Sequence, residues 1–400
     1  MPPTHPVARS FGVYVLVCAF FAVVIPAFAA SFAYVTDQTS SQVDVIDTAT
    51  DTLVTTIFAA NSNRGVGVSP DGTKVYVGPE LSGAISAING TTNTLITSFA
   101  SSNGAVSDFA FNSDGSVVYA TFDANGSDLV YVIDTATNTV TESITVPVNP
   151  TGIAISPDGL TLYVSHAVTT NAITVIDTAT NAVSGSIPAT LQDGNGALEI
   201  TPDGSRLYTV HQNNGDVVVI DVNTSDVSTI PVATGPTGIA LNPAGTTLYV
   251  SHSNGIPVEI IDTATAAIVG GFTGSTAQGT PGAGIAVTSN NSRVYAARSL
   301  QGVEIFGVGG GSLLSNIPLF FLTNKIGVAQ VSGGSPPCID CVDLHTVVLD
   351  GLCAGAPYTN INQVVDEITA QLTTAAAGQG ICGDGFPSCL TEIEVLAGVP

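Results

Sequence analysis

An all-β chain made of seven four-stranded repeats is predicted by three recurring marks. The first is Ile-Asp-Thr-Ala-Thr at 46–50, 133–137, 176–180 and 261–265, with degenerate copies starting at Ile88, Ile220 and Ile305. The seven isoleucines lie 42, 45, 43, 44, 41 and 44 residues apart. The second mark is a tyrosine: Tyr34, Tyr76, Tyr119, Tyr163, Tyr208, Tyr249 and Tyr295. The third is a turn, written Ser69-Pro70-Asp71-Gly72, Ser156-Pro157-Asp158-Gly159 and Thr201-Pro202-Asp203-Gly204, with looser copies at 113–115, 242–245 and 289–291.

Each repeat reads as four short strands, and the unit between 152 and 187 shows why. Gly152-Ile153-Ala154-Ile155 alternates small and β-branched residues, as an inner strand packed on both faces should. Pro-Asp-Gly then turns the chain: Pro presets φ, Asp bonds its own backbone, and Gly accepts φ > 0. Thr161-Leu162-Tyr163-Val164 is the second strand and Ile173-Thr174-Val175-Ile176 the third. Asp177-Thr178 opens the next turn, and Ala182 to Ile187 forms the fourth strand. A four-stranded repeat of this length is the signature of a β-propeller blade. Tyr34 has no inner strand before it, whereas Ile326-Gly327-Val328-Ala329-Gln330-Val331 follows the last blade. The sequence therefore predicts a seven-bladed propeller over 31–334, closed by a late inner strand at about 326–331 that completes the first blade. Closure of this kind removes free sheet edges.

Tyr-Val-Thr-Asp at 34–37, Tyr-Val-Ser-His at 163–166 and 249–252, Ile-Asp-Thr-Ala-Thr-Asn at 133–138 and 176–181, and the Pro-Asp-Gly turns resemble the YVTN-type β-propeller repeat. The resemblance covers about three quarters of the chain. It implies a seven-bladed propeller of the kind found in surface-layer and exported bacterial proteins, and it implies no single activity.

Before the repeats, Arg9 supplies a positive segment and Phe11 to Ile25 an apolar one; Pro26 and Ala27-Phe28-Ala29 follow as a small-x-small cleavage site. The reading is a signal peptide over 1–29, hence an exported, periplasmic, cell-surface or extracellular protein with no transmembrane helix after cleavage. Composition agrees with a folded domain: 44% of residues are hydrophobic and 10% charged. Seven Lys and Arg against 31 Asp and Glu give a net charge of −24, which repels phosphate backbones and argues against a nucleic-acid partner. Part of that charge comes with the architecture, because Asp47, Asp71, Asp114, Asp134, Asp158, Asp177, Asp203, Asp221 and Asp262 are all turn residues expected to cap local N–H groups. No run matches a calcium loop with alternating ligands and a distal Glu, so Ca is expected only at turn carboxylates.

One repeat position invites chemistry. His166, His211 and His252 each stand three residues after a marker tyrosine, in blades four, five and six; Asp37, Pro79, Phe122 and Arg298 occupy it elsewhere. Glu199 sits on the inner strand of blade five, where other blades carry Gly67, Ala110, Ala154, Ala240 and Ala286, and Asp193 lies in the loop before it. If these side chains converge on the propeller axis, His166, His211, His252 and Glu199 form a Zn or Cu site, with Asp193, Arg298 and Asp37 as ligand-binding neighbours. If they point between blades, each meets its own neighbour and no shared site forms. Other chemistry is thin: there is no Gly-x-Ser-x-Gly, no phosphate loop and no His-Glu-x-x-His. Asn-x-Ser/Thr occurs at Asn89, Asn125, Asn223 and Asn290.

After Ser335-Pro336-Pro337 the repeats stop and cysteines begin: Cys338, Cys341, Cys353, Cys382 and Cys389. In an exported chain these read as disulfides stapling a small, mainly helical C-terminal domain over 335–400, with one odd thiol left free or linking another chain. A helix is expected over 361–377, with Val364, Val365, Ile368 and Leu372 on one face. Cys338-x-x-Cys341 with His345 lacks a second ligand pair and argues only weakly for zinc. The function these features predict is a non-enzymatic binding or cell-surface module, its protein or envelope ligand meeting the funnel face. The alternative is a metal-dependent lyase, lactonase or oxidoreductase using the histidines.

Overall fold

The computed structural model describes residues 31–59, 63–81, 83–99, 104–123, 128–167, 173–189, 197–253, 258–272, 284–298, 302–308, 313–319 and 323–330. The leader expected at 1–29, Asp193, and the region 335–400 with its cysteines and expected helix lie outside the described residues. The described strands form seven separate four-stranded antiparallel sheets. The fold is a seven-bladed β-propeller.

Closure follows the predicted route. In blade one the order is Thr323–Gln330, Ser31–Asp37, Gln42–Asp47, Thr52–Phe58. The late strand pairs with the first, Tyr34 opposite Gly327 and Val35 opposite Ile326. It begins three residues before the expected 326, because pairing resumes past an irregularity at Asp37 opposite Thr323. Blades two to seven each run outward in chain order, with inner strands Asn63–Val68, Ala105–Phe111, Pro150–Ile155, Leu198–Ile200, Pro236–Leu241 and Ile285–Val287.

The core lies between consecutive blades. Ala110, Tyr119, Val130 and Val132 of blade three pack on Ile153, Leu162, Val164 and Ile176 of blade four. Blade seven meets blade one in the same way, through Tyr295, Val303 and Ile305 against Ala33, Val35 and Ile46. Close to the axis the sheets interlock, large side chain into small. A Cβ built on Gly67 would lie 2.4 Å from Cβ of Phe109, so only glycine lets blade three come this close.

The repeat's turn chemistry also joins blades. Asp47, Asp134, Asp177, Asp221 and Asp262 accept N–H groups two or three residues on, as the Asp-Thr-Ala-Thr pattern predicts. The residue that closes this turn has positive φ: Asp51 at 55°, Asn93 at 55°, Asn138 at 54° and Ala266 at 53°. Asn and Asp tolerate this conformation best. The marker tyrosine of one blade reaches that residue in the next. Tyr34 donates to Asn93 Oδ1 at 2.5 Å, Tyr76 to Asn138 Oδ1 at 2.5 Å and Tyr295 to Asp51 Oδ1 at 2.8 Å. The last of these clasps blade seven to blade one, where Arg293 Nε adds a 3.2 Å bond to Asp51 Oδ2.

Candidate functional site: the axial cavity

Two groups of residues compete for the functional role, and the strand register separates them. The first is the histidine ring. A residue three places after the marker tyrosine shares a face with the residue one place after it. That residue pairs with the third strand, at Asp44, Ser86, Tyr131, Thr174, Val218, Glu259 and Glu304 in blades one to seven. Each ring residue is thus the diagonal neighbour of a third-strand side chain of its own blade.

Most of these neighbours are engaged. His166, fully buried, has Nδ1 3.2 Å from the Val148 carbonyl and Nε2 2.8 Å from Thr174 Oγ1. A carbonyl only accepts, so Nδ1 carries the proton and Nε2 accepts from the hydroxyl. Burial pushes the His166 pKa below the usual imidazole value. His252 Nε2 lies 3.1 Å from Glu259 Oε2, not aligned as a hydrogen bond, and the same oxygen accepts the Ala233 N–H at 3.0 Å. Burial outweighs the carboxylate and lowers the His252 pKa as well. Arg298 Nε bonds Glu304 Oε2 at 2.8 Å, both side chains buried. Phe122 and Tyr131 place their rings 4.7 Å apart. Asp37 accepts Thr39 N–H and Oγ1 and the Ser40 hydroxyl, capping its own loop. His211 pairs opposite Asp216 in the ladder, with Val218 at the diagonal position, and its two ring nitrogens have no hydrogen-bond partner among the described residues.

The expected metal cluster is therefore not assembled. His166, His211 and His252 lie in three blades, each turned toward its own sheet, and Glu199 lies on an inner strand. Among the described residues no group of three His, Cys, Asp or Glu is placed to hold a metal ion. Arg298 and Asp37 hydrogen-bond to partners within their own blades.

The second group lines the axis. A cavity of about 600 Å³ is bordered by an inner strand from every blade. Its lining residues are mostly Gly, Ala, Val and Ile, the surface they expose is more polar than apolar, and its charged members are Arg64, Asp108 and Glu199. Register explains why two of these stand out. The inner-strand residue opposite the marker tyrosine is Gly327, Gly67, Ala110, Ala154, Ala240 or Ala286, and Glu199 in blade five. Two positions earlier in the chain the residues are Gly65, Gly152, Ala197, Gly238 and Gly284, with Asp108 in blade three and Lys325 in blade one. Two carboxylates thus interrupt rings of glycine and alanine on one axis. Arg64 sits on the neighbouring inner strand, 3.7 Å from Glu80, whose pKa is raised by burial despite that guanidinium.

Sequence reasoning singled out Glu199, as a metal ligand, and passed over Asp108 and Arg64. The signal for Asp108 was present, an acid in Ser107-Asp108-Phe109-Ala110 where five other blades have Gly or Ala and blade one has Lys325, but reading it required the register.

Known proteins agree on architecture. A functionally unknown protein from Desulfotomaculum acetoxidans superposes with a TM-score of 0.65 at 14% identity, covering 75% of this chain and 99% of its own. Hydrazine synthase from Kuenenia stuttgartiensis gives 0.59 at 18% identity, covering 72% and 92%. No protein-family model matches the chain, and no curated protein does. Identities this low establish the shared propeller fold and nothing finer.

Proposed function

We propose that this chain is an exported, non-enzymatic binding module of the YVTN-repeat type, whose ligand enters the axial cavity from the funnel face. The observation that supports it most is the pair of carboxylates, Asp108 and Glu199, set into rings of glycine and alanine around a cavity that every blade helps to line. Side chains anchored on paired strands are pre-organised for recognition. The leader at 1–29 supports export, and the cysteines at 338–389 suit an oxidising compartment.

The chain also enters and leaves the ring on one face, since Ser31 pairs with Gln330 at the turn end of blade one. The test uses the mature chain, labelled and added to envelope fractions of the source organism. Saturable binding that falls at least tenfold in Asp108→Ala and Glu199→Ala, with unchanged thermal unfolding, is expected. Equal binding by wild type and both variants would refute the cavity as the recognition site. Recovery of the untagged native chain in the cytoplasmic fraction would refute export.

A further inference from the structure

The junction between blades seven and one contains a small recognition device built from protein alone. Arg293 and Tyr295, two residues apart on one strand, together grip the Asp51 carboxylate: Nε donates to Oδ2 at 3.2 Å and the tyrosine hydroxyl to Oδ1 at 2.8 Å. Blade five repeats the gripping half. Arg206 and Tyr208 occupy the same two repeat positions on the strand Arg206–His211. In blade six, the residue equivalent to Asp51 is Ala266, with the same positive φ of 53° and no side-chain acceptor. A cavity of about 540 Å³ opens there on the turn face, bordered by Arg206, Tyr208, Asp203, Ser205 and Thr263 among others.

We infer that this cavity between blades five and six binds a carboxylate group, held by Arg206 and Tyr208 as Asp51 is held by Arg293 and Tyr295. Arg206 uses Nη1 to bond the Thr263 carbonyl at 2.8 Å, which fixes the guanidinium across the junction. Four of its five N–H donors are not spent on that bond. The surroundings set the ligand class. Asp203 is held ionised, its pKa lowered to about 2 by the hydroxyl and N–H groups of Thr201 and Ser205. Asp221, opposite Arg206 in the ladder, is occupied with the N–H groups of Asn223 and Thr224. Two ionised aspartates beside one guanidinium oppose a phosphate dianion more strongly than a carboxylate monoanion, whether from a small monocarboxylic acid or from an acidic side chain of a peptide. This site is separate from the axial cavity, and neither proposal depends on the other.

The test is site-resolved. Acetate is titrated into the mature chain at constant ionic strength, and the arginine Nε–Hε signals are followed by NMR, that of Arg206 being assigned by its loss in R206K. A saturable shift of Arg206 is expected, weakened about tenfold in Tyr208→Phe, which removes one hydrogen bond to a charged group. Ala266→Asp should supply the carboxylate internally: the Arg206 signal moves without acetate, stops responding to it, and the unfolding temperature rises. No saturable shift in the wild type, or a response unchanged in both Y208F and A266D, would overturn the proposal. N-acetyl-aspartyl amide serves as a second probe: tighter binding than acetate assigns the site to a peptide partner, and tighter binding of acetate assigns it to a free acid.

Discussion

Replacing Asp51 by alanine tests whether the ring is clasped at its seam. Tyr295 is fully buried, so its hydroxyl would lose its acceptor without gaining water, a loss of about 1–3 kcal/mol. Alanine at a φ of 55° adds about 1 kcal/mol of backbone strain that aspartate largely avoids. The ion pair with Arg293, whose side chain is 31% exposed, contributes at most about 1 kcal/mol after solvent screening. Together these predict a destabilisation of roughly 2–5 kcal/mol for Asp51→Ala. Asp51→Asn keeps Oδ1 for the tyrosine and tolerates the same φ, so it should lose only the ion pair, under about 1 kcal/mol. Urea unfolding of the purified protein measures both, with limited proteolysis reporting whether blade one frays first. If Asp51→Ala matches wild type, or if Asp51→Asn is equally damaged, the clasp is not what holds the seam.

Three further outcomes follow from the same contacts. Gly67→Ala should destabilise by about 1–3 kcal/mol through overpacking against Phe109, whereas Gly185→Ala, with nothing within 4 Å of the new Cβ, should leave the unfolding midpoint unchanged. The turn aspartates Asp71, Asp114, Asp134, Asp158, Asp177, Asp203, Asp221 and Asp262 have folded pKa values below the ordinary carboxylate value because hydroxyl and N–H groups hold the ionised form. Their stabilisation is therefore present above the unfolded carboxylate value of about 4 and is lost as pH falls below it through the lowered folded values, about 2 for Asp203; a series of melting temperatures on the acid side will show or contradict this. His166 has a folded pKa depressed by burial. Its contribution is full above the unfolded value of about 6.5 and declines as pH drops below it, and its ring signals in NMR should stay neutral where a free imidazole has already titrated.

The fold was legible because a propeller repeats its instructions. Each Pro-Asp-Gly and each Asp-Thr-Ala-Thr states a turn whose geometry those residues favour, and the missing strand before Tyr34 could be matched to the surplus strand near Ile326 by counting alone. What counting could not supply was the direction of side chains. The tyrosine mark reads as core, and it is core. Its hydroxyl, however, also reaches the next blade's turn, a contact 59 residues away for Tyr34 and 244 for Tyr295. Such reach depends on how blades are stacked, which no local pattern encodes.

The histidine position shows where sequence symmetry misleads. Seven residues at one repeat position invite the picture of a ring facing a common axis, but the second strand is separated from the axis by the inner one. A side chain there meets its own third strand before it meets another blade's equivalent. The partners vary with the residue: Thr174 beside His166, Glu259 beside His252, Glu304 beside Arg298, and Tyr131 beside Phe122. Matched pairs of this kind are the mark of packing within a sheet, since a shared ligand would call for similar donors around the ring rather than a different complement in each blade. Inner strands obey the opposite rule. Their small residues are required by close approach, as Gly67 against Phe109 shows, so an ionisable group placed among them forgoes tight interlocking of neighbouring sheets. Asp108 and Glu199 accept that loss in blades three and five, two blades apart and on the wall of one cavity, which makes the axis rather than the histidine ring the place where this repeat departs from what packing alone demands.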